Sequence, residues 1–548
     1  MKRIVVVGGV AGGMSAATRL RRLDANVEII VLEKSGHVSY ANCGLPYYLG
    51  GIIEEEESLF LQTPESLHAR FRLDVRVLTA ATKIDAMRKI VEVHDLVTGV
   101  TSEISYEKLI LSPGASPVVP PIPGIERALT LRTVEDVEKI FARVVGKPRD
   151  AVVIGGGFIG VEVAENLVHK GISTSLVEAL PQVLAALDPE MATLVSEELV
   201  KKGVNLFLGD AVESITTNSV ILASGEVLPS DLVILAIGVK PDIALARSAG
   251  LRIGERGGID VDEFNLTSDP NIYAVGDASE KRDSFDGSAT LVPLANIANR
   301  HGRVVADHIN GRTVRSVPTI GTAIVKVFDL TIATTGWNEK RLLANKRPHY
   351  VIHTHPSSHA GYYPGSKSMA LKLVFDSITG GILGAQGIGT EGVDKRIDVI
   401  ATAIRGGLSA PELADLELAY APPFGSAKDP VNMLGYVAEN YLSGLSNTVQ
   451  WHEIDEYRER GYTIVDVRSK GEFALGAIPH SFNIPIDELR ERIGEVIWHD
   501  LVVNCQVGVR GHSATLLLNE LGLNAKNLDG GYQTWRHSPA RVSTLVHS

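Results

Sequence analysis

The chain contains very little cysteine. Only two of its 548 residues are cysteines, Cys43 and Cys505, and they lie far apart in the sequence. Two thiols cannot build a disulfide framework, which argues against the class of secreted proteins that disulfides hold together. We therefore expect a cytoplasmic protein. Each of the two cysteines is therefore either an inert core residue or a separate reactive site.

The sequence also lacks a long apolar run and an excess of positive charge. No stretch reaches the ~18 consecutive apolar residues that suggest a membrane-spanning helix. Glycines interrupt the apolar N-terminal stretch, which has no small-x-small cleavage site, so we do not expect a signal peptide. The formal net charge of −12 argues against nucleic acid as a partner. The basic cluster at residues 18–23 could still bind an anionic ligand.

Glycine, in contrast, occurs in two patterned turns. Residues 3 to 34 predict a strand, a glycine-rich turn, a helix and a second strand that ends on Glu33. The same pattern returns over residues 150 to 179 and ends on Glu178. Glycines allow a tight turn and close approach of a pyrophosphate, and the helix N-terminus supplies free N–H groups. A carboxylate at the end of the second strand can accept hydrogen bonds from a ribose.

The two turns match the dinucleotide-binding fingerprint to different degrees. In the first turn Val10 replaces the middle glycine. The second turn is complete, with Gly155, Gly157 and Gly160. A single such turn is weak evidence, but two copies in a strand–turn–helix context predict two nucleotide-binding units.

At 548 residues the chain is too long for one core, and we expect about three or four domains. Alternating strands from about residue 325, followed by a helix near 394–406, predict an α+β domain. A polar junction around "ENYLSGLSNTVQW" precedes a further α/β unit of about a hundred residues.

These motifs together resemble a known family. "VVVGGVAGG", "SYANCGLPYYLGG", "LSPGASP", "VGDA" and "APPFGSAKDP" resemble the single-cysteine pyridine nucleotide–disulfide oxidoreductases, and most closely their coenzyme A-disulfide reductase branch, up to about residue 445. The tail, with "IVDVRSKGEFALGAIPHSFNIP", "NCQVGVRG" and "NLDGGYQTW", resembles a rhodanese domain. The combination is similar to the coenzyme A-disulfide reductase–rhodanese fusions, which include NADH-dependent persulfide and polysulfide reductases.

The resemblance implies an α/β protein that forms a homodimer. We expect two Rossmann-type nucleotide-binding domains, an α+β dimerisation domain and a C-terminal rhodanese α/β domain. The predicted boundaries are 1–149 with 243–324 for the FAD domain, 150–242 for the NAD(P)H domain, 325–445 for the dimerisation domain, 446–452 for a linker and 453–548 for the rhodanese domain.

The same resemblance implies FAD in the first unit and a nicotinamide cofactor in the second. Because Glu178 would repel a 2′-phosphate, we favour NADH, although some members of this branch accept both forms. The residues expected at FAD are Gly8, Ala11, Gly12, Glu33, Lys34, Asn42, Ser112, Gly114, Arg132, Asp277, Pro293, Leu294 and Ala295. Those expected at the nicotinamide cofactor are Gly155, Gly157, Ile159, Gly160, Glu178 and Gly238.

Cys43 lacks the second cysteine that many flavin disulfide reductases have in a C-x4-C pair. Residues 44 to 48 contain no cysteine, so Cys43 must act with a sulfur from outside the chain. We expect a thiolate beside the flavin, with its pKa lowered by a helix N-terminus or by the ring. The alternative is a buried structural cysteine.

Coenzyme A is the expected substrate. NADH oxidases and peroxidases of the same fold cycle a sulfenic acid and typically have a histidine on the first Rossmann helix. The segment "MSAATRLRRL" has none, and its arginines suit a phosphate instead. The alternative is a solvated helix face. The residues that the resemblance assigns to coenzyme A are Ser15, Arg19, Arg22, Ser39, Asn42, Asn299, Arg303 and Lys428.

Tyrosines in the dimerisation domain complete the expected site. In the family such residues reach the partner's cysteine, where a phenol could protonate a departing thiolate. Tyr362 and Tyr420 match by spacing, and Tyr363 is the alternative to Tyr362.

Cys505 follows an apolar strand and precedes a helix. Backbone N–H groups from Gln506 to Arg510 could curl around its sulfur as an anion nest. The C-x4-R spacing to Arg510 favours a sulfurtransferase over the related phosphatases, whose C-x5-R loop is one residue longer. Asp466, Arg468 and the "LDGGYQTW" segment are interpreted as scaffold.

The sequence thus predicts a flavoenzyme in which Cys505 collects a sulfane sulfur and delivers it to Cys43, on coenzyme A or by a swinging domain. Reduction by NADH through FAD would then release sulfide or a thiol. Two alternatives remain open, an NADH oxidase or peroxidase, and a reductase whose tail only binds a partner.

Overall fold

A computed structural model describes residues 2–146 and 148–539 of the chain. The chain forms two compact units. The first takes in residues up to 179, 203–205 and 209–320, and the second takes in 180–202, 206–208 and the residues from 321 onward. The predicted rhodanese boundary extends over 540–548, which lie outside the described residues.

The chain alternates between strands and helices along most of its length. The elements up to residue 179 are β1 (Arg3–Val7), α1 (Ala11–Leu23), β2 (Glu28–Leu32), α2 (Leu45–Gly50), α3 (Pro64–Phe71), β3 (Asp74–Arg76), β4 (Thr79–Asp85), β5 (Ile90–Asp95), β6 (Thr101–Ser105), β7 (Lys108–Leu111), β8 (Ala115–Pro117), β9 (Leu129–Thr130), α4 (Val134–Val145), β10 (Asp150–Ile154), α5 (Phe158–His169) and β11 (Ser173–Glu178). Those from 180 to 320 are α6 (Pro189–Lys201), β12 (Val204–Leu208), β13 (Val212–Ile215), β14 (Ser219–Leu222), β15 (Val227–Pro229), β16 (Leu232–Leu235), β17 (Val239–Pro241), α7 (Ala244–Ser248), β18 (Ile272–Ala274), β19 (Lys281–Arg282), β20 (Ala289–Thr290) and α8 (Ala295–Ile309).

The remaining elements belong to the second unit. They are β21 (Ala323–Val327), β22 (Leu330–Gly336), α9 (Glu339–Ala344), β23 (His349–Thr354), β24 (Met369–Asp376), β25 (Ile382–Gly389), α10 (Val393–Gly406), α11 (Pro430–Leu442), β26 (Thr448–Val449), α12 (Ile454–Glu459), β27 (Thr463–Asp466), α13 (Lys470–Ala474), β28 (Phe482–Asn483), α14 (Ile486–Leu489), β29 (Asp500–Asn504), α15 (Val509–Glu520), β30 (Asn524–Leu528) and α16 (Gly531–Arg536). Among the described residues, none of the helices has the length and hydropathy to cross a membrane.

Two five-stranded sheets form the predicted nucleotide-binding units. The first has the order β18-β7-β1-β2-β3 with parallel pairing throughout. The second has the order β12-β11-β10-β16-β9. Within β1, Ile4 and Val6 belong to one buried cluster, whereas Val5 and Val7 belong to another. Side chains alternate across a strand, so this central strand is buried on both faces, which explains its continuous apolar sequence.

The second unit contains two further sheets. An antiparallel sheet has the order β21-β22-β25-β24-β23 and packs against α10 and α11. A sheet of order β26-β30-β29-β27-β28 with parallel pairing follows. The expected α+β domain and the final α/β unit are both present. Together with the two nucleotide-binding sheets, they confirm the predicted fold class.

A buried lysine in the second unit contacts three carboxylates. The ammonium of Lys372, on β24, contacts Glu190 at 2.6 Å, Glu339 at 2.6 Å and Asp188 at 3.0 Å. Lys372 is 1% exposed. Burial disfavours its charge, but the three carboxylates reverse this effect and raise the pKa of Lys372. Lys372 therefore supplies the positive charge that compensates these acids.

We expect Lys372→Met to lower the free energy of unfolding by about 3–5 kcal/mol, because breaking a buried ion network leaves uncompensated charge. The matched control is Lys326→Met, on the exposed face of β21, which should change the free energy by less than ~0.5 kcal/mol. Urea denaturation of both variants is the measurement. Equal stability of the two variants would contradict this account.

Candidate active site

Cys43 lies in a short 3₁₀ turn, Asn42–Gly44, that runs directly into α2. Its side chain is exposed. The next residue, Leu45, and Leu49 one turn later are both fully buried. These leucines anchor the segment and leave the thiol accessible.

Helix α2 packs closely on α5, the helix that follows the second glycine-rich turn. A Cβ atom at Gly50 would overlap the side-chain amide of Asn166. Four residues after Cys43, the hydroxyl of Tyr47 donates a hydrogen bond to Oε1 of Glu162 at 2.9 Å. The turn that carries Cys43 is thus tied to α5 by a carboxylate.

The groups around Cys43 raise the pKa of its thiol. Partial burial raises the pKa of the thiol, the carboxylates of Glu162 and Asp277 raise it further, and only Arg132 lowers it. The lowering of the pKa predicted from a helix N-terminus is therefore wrong, since α2 has only six residues and burial and the acidic groups act in the opposite direction; the predicted lowering by the flavin ring stays a prediction. Burial also raises the pKa of Glu162 to about 7. A carboxyl that titrates near neutrality thus lies beside the thiol.

The first glycine-rich turn has the geometry of a dinucleotide site. Gly8 has φ +100°, and a Cβ atom there would overlap the carbonyl of Ser112. Glu33, at the end of β2, accepts hydrogen bonds from the backbone N–H groups of Gly9 at 2.7 Å and Ser35 at 2.9 Å. A buried acid, a tight turn and the start of α1 therefore meet at one edge of the sheet. These features fit FAD.

A half-buried ion pair joins two of the predicted FAD residues. Nη2 of Arg132 contacts Oδ2 of Asp277 at 2.6 Å. Asp277 lies in the 3₁₀ turn that follows β18. The other predicted FAD residues follow β2 or β7 or lie at the starts of α1 and α8; they are Ala11, Gly12, Lys34, Asn42, Gly114, Pro293, Leu294 and Ala295. Their contacts with FAD stay predictions.

The second glycine-rich turn repeats the arrangement. Gly155 has φ +108°, and Gly160 is so close to the carbonyl of Gly155 that a Cβ atom would overlap it. A Cβ atom at Gly157 would meet nothing within 4 Å, which leaves room for a ligand. Oε2 of Glu178 accepts a hydrogen bond from the N–H of Gly156 at 2.7 Å. The donor set fits a nicotinamide dinucleotide, with Ile159 in α5 and Gly238 before β17.

Several predicted coenzyme A residues lie together on α1 and α8. These helices approach closely, since a Cβ atom at Gly302 would overlap the carbonyl of Gly12. The hydroxyl of Ser15 donates to Oδ1 of Asn299 at 2.8 Å. The guanidinium of Arg19 binds Asp307 at 2.8 Å, with Arg19 18% exposed. Arg19 is therefore not simply part of a solvated helix face.

The remaining coenzyme A residues are more dispersed. The guanidinium of Arg22 lies over the ring of Phe71, 5.2 Å from its centroid. Arg303 is 64% exposed, and its Nε is 3.9 Å from Asp307. Ser39 adopts φ +49° just before the Cys43 turn. Lys428 is an exposed residue of the second unit.

The predicted tyrosines of the second unit form a pair. The hydroxyls of Tyr362 and Tyr420 are 3.0 Å apart, and both side chains are exposed. Tyr363 instead packs edge-on against the ring of His359. The pairing favours Tyr362 over Tyr363 as the partner of Tyr420.

Cys505 directly follows β29 and is buried. The N–H of Gly508 donates to its Sγ at 3.1 Å. Arg510 makes two hydrogen bonds to Glu472, at 2.8 and 2.6 Å, and these raise its pKa, with a smaller contribution from the thiol. An amide and a guanidinium thus face the sulfur, as a cradle for a thiolate or persulfide requires.

Comparison with protein families assigns the chain. A model of the pyridine nucleotide-disulphide oxidoreductase matches residues 2–302. The chain belongs to this family. The dimerisation domain of the same family matches residues 322–430, and a rhodanese-like domain matches 450–538.

Individual proteins of this oxidoreductase family resemble the chain over most of its length. A coenzyme A disulfide reductase from Staphylococcus aureus is 35% identical over 443 residues, which are 80% of this chain and all of that protein. The structure of reduced Bacillus anthracis CoADR-RHD is 50% identical, with a TM-score of 0.97 over 98% of this chain and 99% of that one. A NAD-dependent persulfide reductase from A. fulgidus is 38% identical, with a TM-score of 0.92 over 97% and 100% of the two chains.

Members of the pyridine nucleotide-disulphide oxidoreductases use FAD and NAD(P)H. This chain is an FAD-dependent enzyme that uses NAD(P)H to reduce disulfide or persulfide bonds, and it carries an additional rhodanese-like domain. The dimerisation domain indicates a homodimer.

Three acidic residues that contact residues of the predicted sites, or their neighbours, were not predicted themselves. Glu162 contacts Tyr47, Asp307 holds Arg19, and Glu472 holds Arg510. The spacing of Cys43 and Tyr47 along a short helix could have indicated the tyrosine. The acids are distant in sequence from their partners, and no local pattern indicates them.

We expect Glu162→Gln to lower the pKa of Cys43, because it removes the carboxylate that, after burial, contributes most to raising that pKa. In the Cys505→Ser background, alkylation of Cys43 by iodoacetamide at pH 7 should become about threefold faster, as a shift of ~0.5 pKa units would give. The rate should be followed across pH in the reduced holoenzyme.

The matched control for this prediction is Glu138→Gln, which removes one exposed charge from α4. Its alkylation profile should coincide with that of the parent. The account of the thiol's environment is wrong if Glu162→Gln leaves the profile unchanged as well.

Proposed function

We propose that the enzyme reduces coenzyme A persulfide or polysulfide, and also coenzyme A disulfide, at Cys43. Its rhodanese-like domain would collect the sulfane sulfur on Cys505. The observation that carries this proposal is the setting of the two thiols. Cys43 is exposed and has no cysteine near it in sequence, whereas Cys505 lies in a cradle formed by Gly508 and Arg510.

The first step occurs at Cys505. Its thiolate attacks the outer sulfur of a sulfane donor, so that one sulfur–sulfur bond breaks and the persulfide Cys505–S–S⁻ forms. The rest of the donor leaves as sulfite from thiosulfate, or as a polysulfide one sulfur shorter. The N–H of Gly508 and the positive charge of Arg510 stabilise the anion before and after the transfer. The thiolate of coenzyme A then takes the outer sulfur and regenerates the Cys505 thiolate.

The second step occurs at Cys43. Its thiolate attacks the outer sulfur of coenzyme A persulfide, forms Cys43–S–S⁻ and releases the coenzyme A thiolate. FAD and NAD(P)H, held at the two glycine-rich turns with Glu33 and Glu178, would supply the two electrons that cleavage of this new sulfur–sulfur bond requires, and the products would be sulfide and the Cys43 thiolate. Burial raises the pKa of Glu162 to about 7, so a carboxyl that titrates near neutrality would be available to exchange protons near the site.

The proposed coenzyme A site begins at the arginines of α1. Arg19 and Arg22 would bind the phosphate end, with Arg303 and the Ser15–Asn299 pair beside them. Guanidinium groups suit this task because they bind phosphate through two N–H groups at once. Ser39 and Asn42 lie between this end and Cys43 in the sequence, and the assignment of Lys428 to coenzyme A stays a prediction.

The Tyr362–Tyr420 pair is proposed to act in a homodimer. The two hydroxyls share a hydrogen bond and lie on an exposed surface, where a partner subunit could cover them. A phenol there would donate the proton that the released thiolate needs.

The cofactor preference, the domain limits and the location stay predictions. Glu178 at the end of β11 favours NADH, since its carboxylate would repel a 2′-phosphate. The boundaries given under Sequence analysis are kept. The cytoplasmic location depends on the low cysteine content alone.

Two cysteine variants separate the proposed steps. We expect Cys43→Ser to lower reduction of both coenzyme A disulfide and coenzyme A persulfide about a thousandfold or more, because the nucleophile is lost. Cys505→Ser should leave both reactions intact but stop sulfide release when thiosulfate or polysulfide is the donor. Anaerobic NADH oxidation and sulfide release are the measurements.

Each variant serves as the control for the other, since both exchange one thiol for a hydroxyl. Faster consumption of peroxide or oxygen than of sulfur substrates would contradict the proposal and indicate an oxidase or peroxidase. Undiminished sulfur uptake by Cys505→Ser would show that the rhodanese-like domain has no catalytic part.

A further inference from the structure

A buried histidine joins the rhodanese-like domain to the dimerisation domain within the second unit. His353 belongs to β23 of the dimerisation domain and is 4% exposed. Its Nδ1 is 2.6 Å from Oδ2 of Asp529, which follows β30 of the rhodanese-like domain. The backbone N–H of His353 donates to the same oxygen at 3.0 Å. Asp529 is also 4% exposed, so the contact excludes water.

The contact is one end of a chain of alternating charges. Nε2 of His353 is 2.9 Å from Oε1 of Glu190, and that oxygen also accepts a hydrogen bond from Lys372 at 2.6 Å. The order is therefore Lys372, Glu190, His353 and Asp529. Each member is buried, and the loss of any one leaves its neighbour as an uncompensated charge in a medium of low dielectric.

The turn that begins at Asp529 also supports the Cys505 loop. Gly530 and Gly531 follow with φ +64° and +63°, a conformation that favours glycine. A Cβ atom at Gly530 would lie 2.7 Å from Cβ of His353. A Cβ atom at Gly531 would lie within 3 Å of the carbonyl of Cys505 and of the N–H of Gly508.

Two backbone hydrogen bonds fix this loop to the turn. The N–H of Tyr532 donates to the carbonyl of Cys505 at 2.7 Å, and the N–H of Gln533 donates to that of Gln506 at 2.9 Å. The path from His353 to the sulfur cradle therefore passes through one short backbone segment, with no flexible side chain between Asp529 and the loop.

Two other histidine contacts also hold the rhodanese-like domain within the second unit. Nε2 of His355 is 2.7 Å from the hydroxyl of Thr534, and Nδ1 of His537 is 2.9 Å from Glu197. Side chains of α6 and α16 thus contact residues that directly follow β23 and α16.

We propose that His353 is a positioning residue for Cys505, which fixes the Asp529–Gly531 turn and through it the geometry of the sulfur cradle. The inference rests on the proposed sulfurtransferase role of Cys505. It makes the function of the rhodanese-like domain dependent on a residue outside that domain. It also means that Cys505 acts from a docked position and not from a swinging domain.

The charges around His353 make the stability of its contact with Asp529 depend on pH. Burial disfavours the imidazolium, but hydrogen bonds and charges from Asp529 and Glu190 raise the pKa of His353 to about 9. The ammonium of Lys372 lies beyond Glu190, and burial lowers the pKa of nearby His355 to about 3, so His355 is neutral. A raised histidine pKa means that the stabilisation is complete below pH ~6.5 and is lost as the pH rises through about 9.

The test uses the full-length holoenzyme with Cys43→Ser, so that Cys505 is the only thiol. We expect His353→Leu to lower kcat of thiosulfate:cyanide sulfur transfer roughly tenfold with a smaller change in KM, because the cradle is misplaced. His353→Asn keeps a donor near Asp529 and should restore part of the rate. His499→Gln removes an exposed histidine of the rhodanese-like domain and should match the parent.

A second readout does not depend on turnover. The pH profile of Cys505 alkylation by iodoacetamide should shift in His353→Leu and in Asp529→Asn, and remain unchanged in His499→Gln. Asp529→Asn preserves side-chain size, so it keeps the test valid if His353→Leu does not fold. In the parent, sulfur transfer should decline as the pH rises through about 9.

The outcomes distinguish this inference from the proposed function. A shifted alkylation profile in a parent without sulfurtransferase activity would support the positioning role and contradict the function proposed for Cys505. Profiles of His353→Leu and Asp529→Asn that coincide with the parent would overturn the inference, whatever the sulfurtransferase activity.

Discussion

The absence of a second thiol near Cys43 is the constraint on which the chemistry of this enzyme depends. In a C-x4-C reductase the second cysteine would occupy position 48, but Tyr48 is there and its ring stacks on Phe141, with centroids 5.4 Å apart. The leucines of α2 and the close packing on α5 hold the turn in place. Cys43 can therefore form a sulfur–sulfur bond only with a sulfur that is brought to it, and we propose the rhodanese-like domain as the source.

The two thiols are held in opposite electrostatic surroundings. Cys43 lies beside the carboxylates of Glu162 and Asp277, which favour the protonated form. Cys505 lies beside the donating N–H of Gly508 and the guanidinium of Arg510. This difference suits the proposed sequence, in which Cys505 takes up the sulfur first and Cys43 receives it afterwards. The buried charges around Lys372 and His353 then connect the sulfur cradle to the dimerisation domain.

Much of the fold could be predicted because the signals are local. The glycine-rich turns, the acids Glu33 and Glu178 and the solitary Cys43 each follow from a short stretch of sequence, and the structure places each acid at the end of its strand. Contacts between distant residues could not be predicted. Arg19 and Asp307 are 288 residues apart in the sequence, and His353 and Asp529 are 176 apart. No sequence pattern around one residue of either pair indicates its partner. The rise in the pKa of Cys43 could not be predicted for the same reason, because burial and the charge of Glu162 come from the tertiary fold.

The central claim is that sulfur reaches Cys43 after Cys505. Its most direct test is mass spectrometry of the two cysteine peptides after a sulfane donor is added anaerobically without NADH. The account predicts one added sulfur atom on Cys505 in the absence of coenzyme A, and modification of Cys43 only after coenzyme A is supplied. Sulfur that appears on Cys43 without coenzyme A, at the same rate in the parent and in Cys505→Ser, would contradict it.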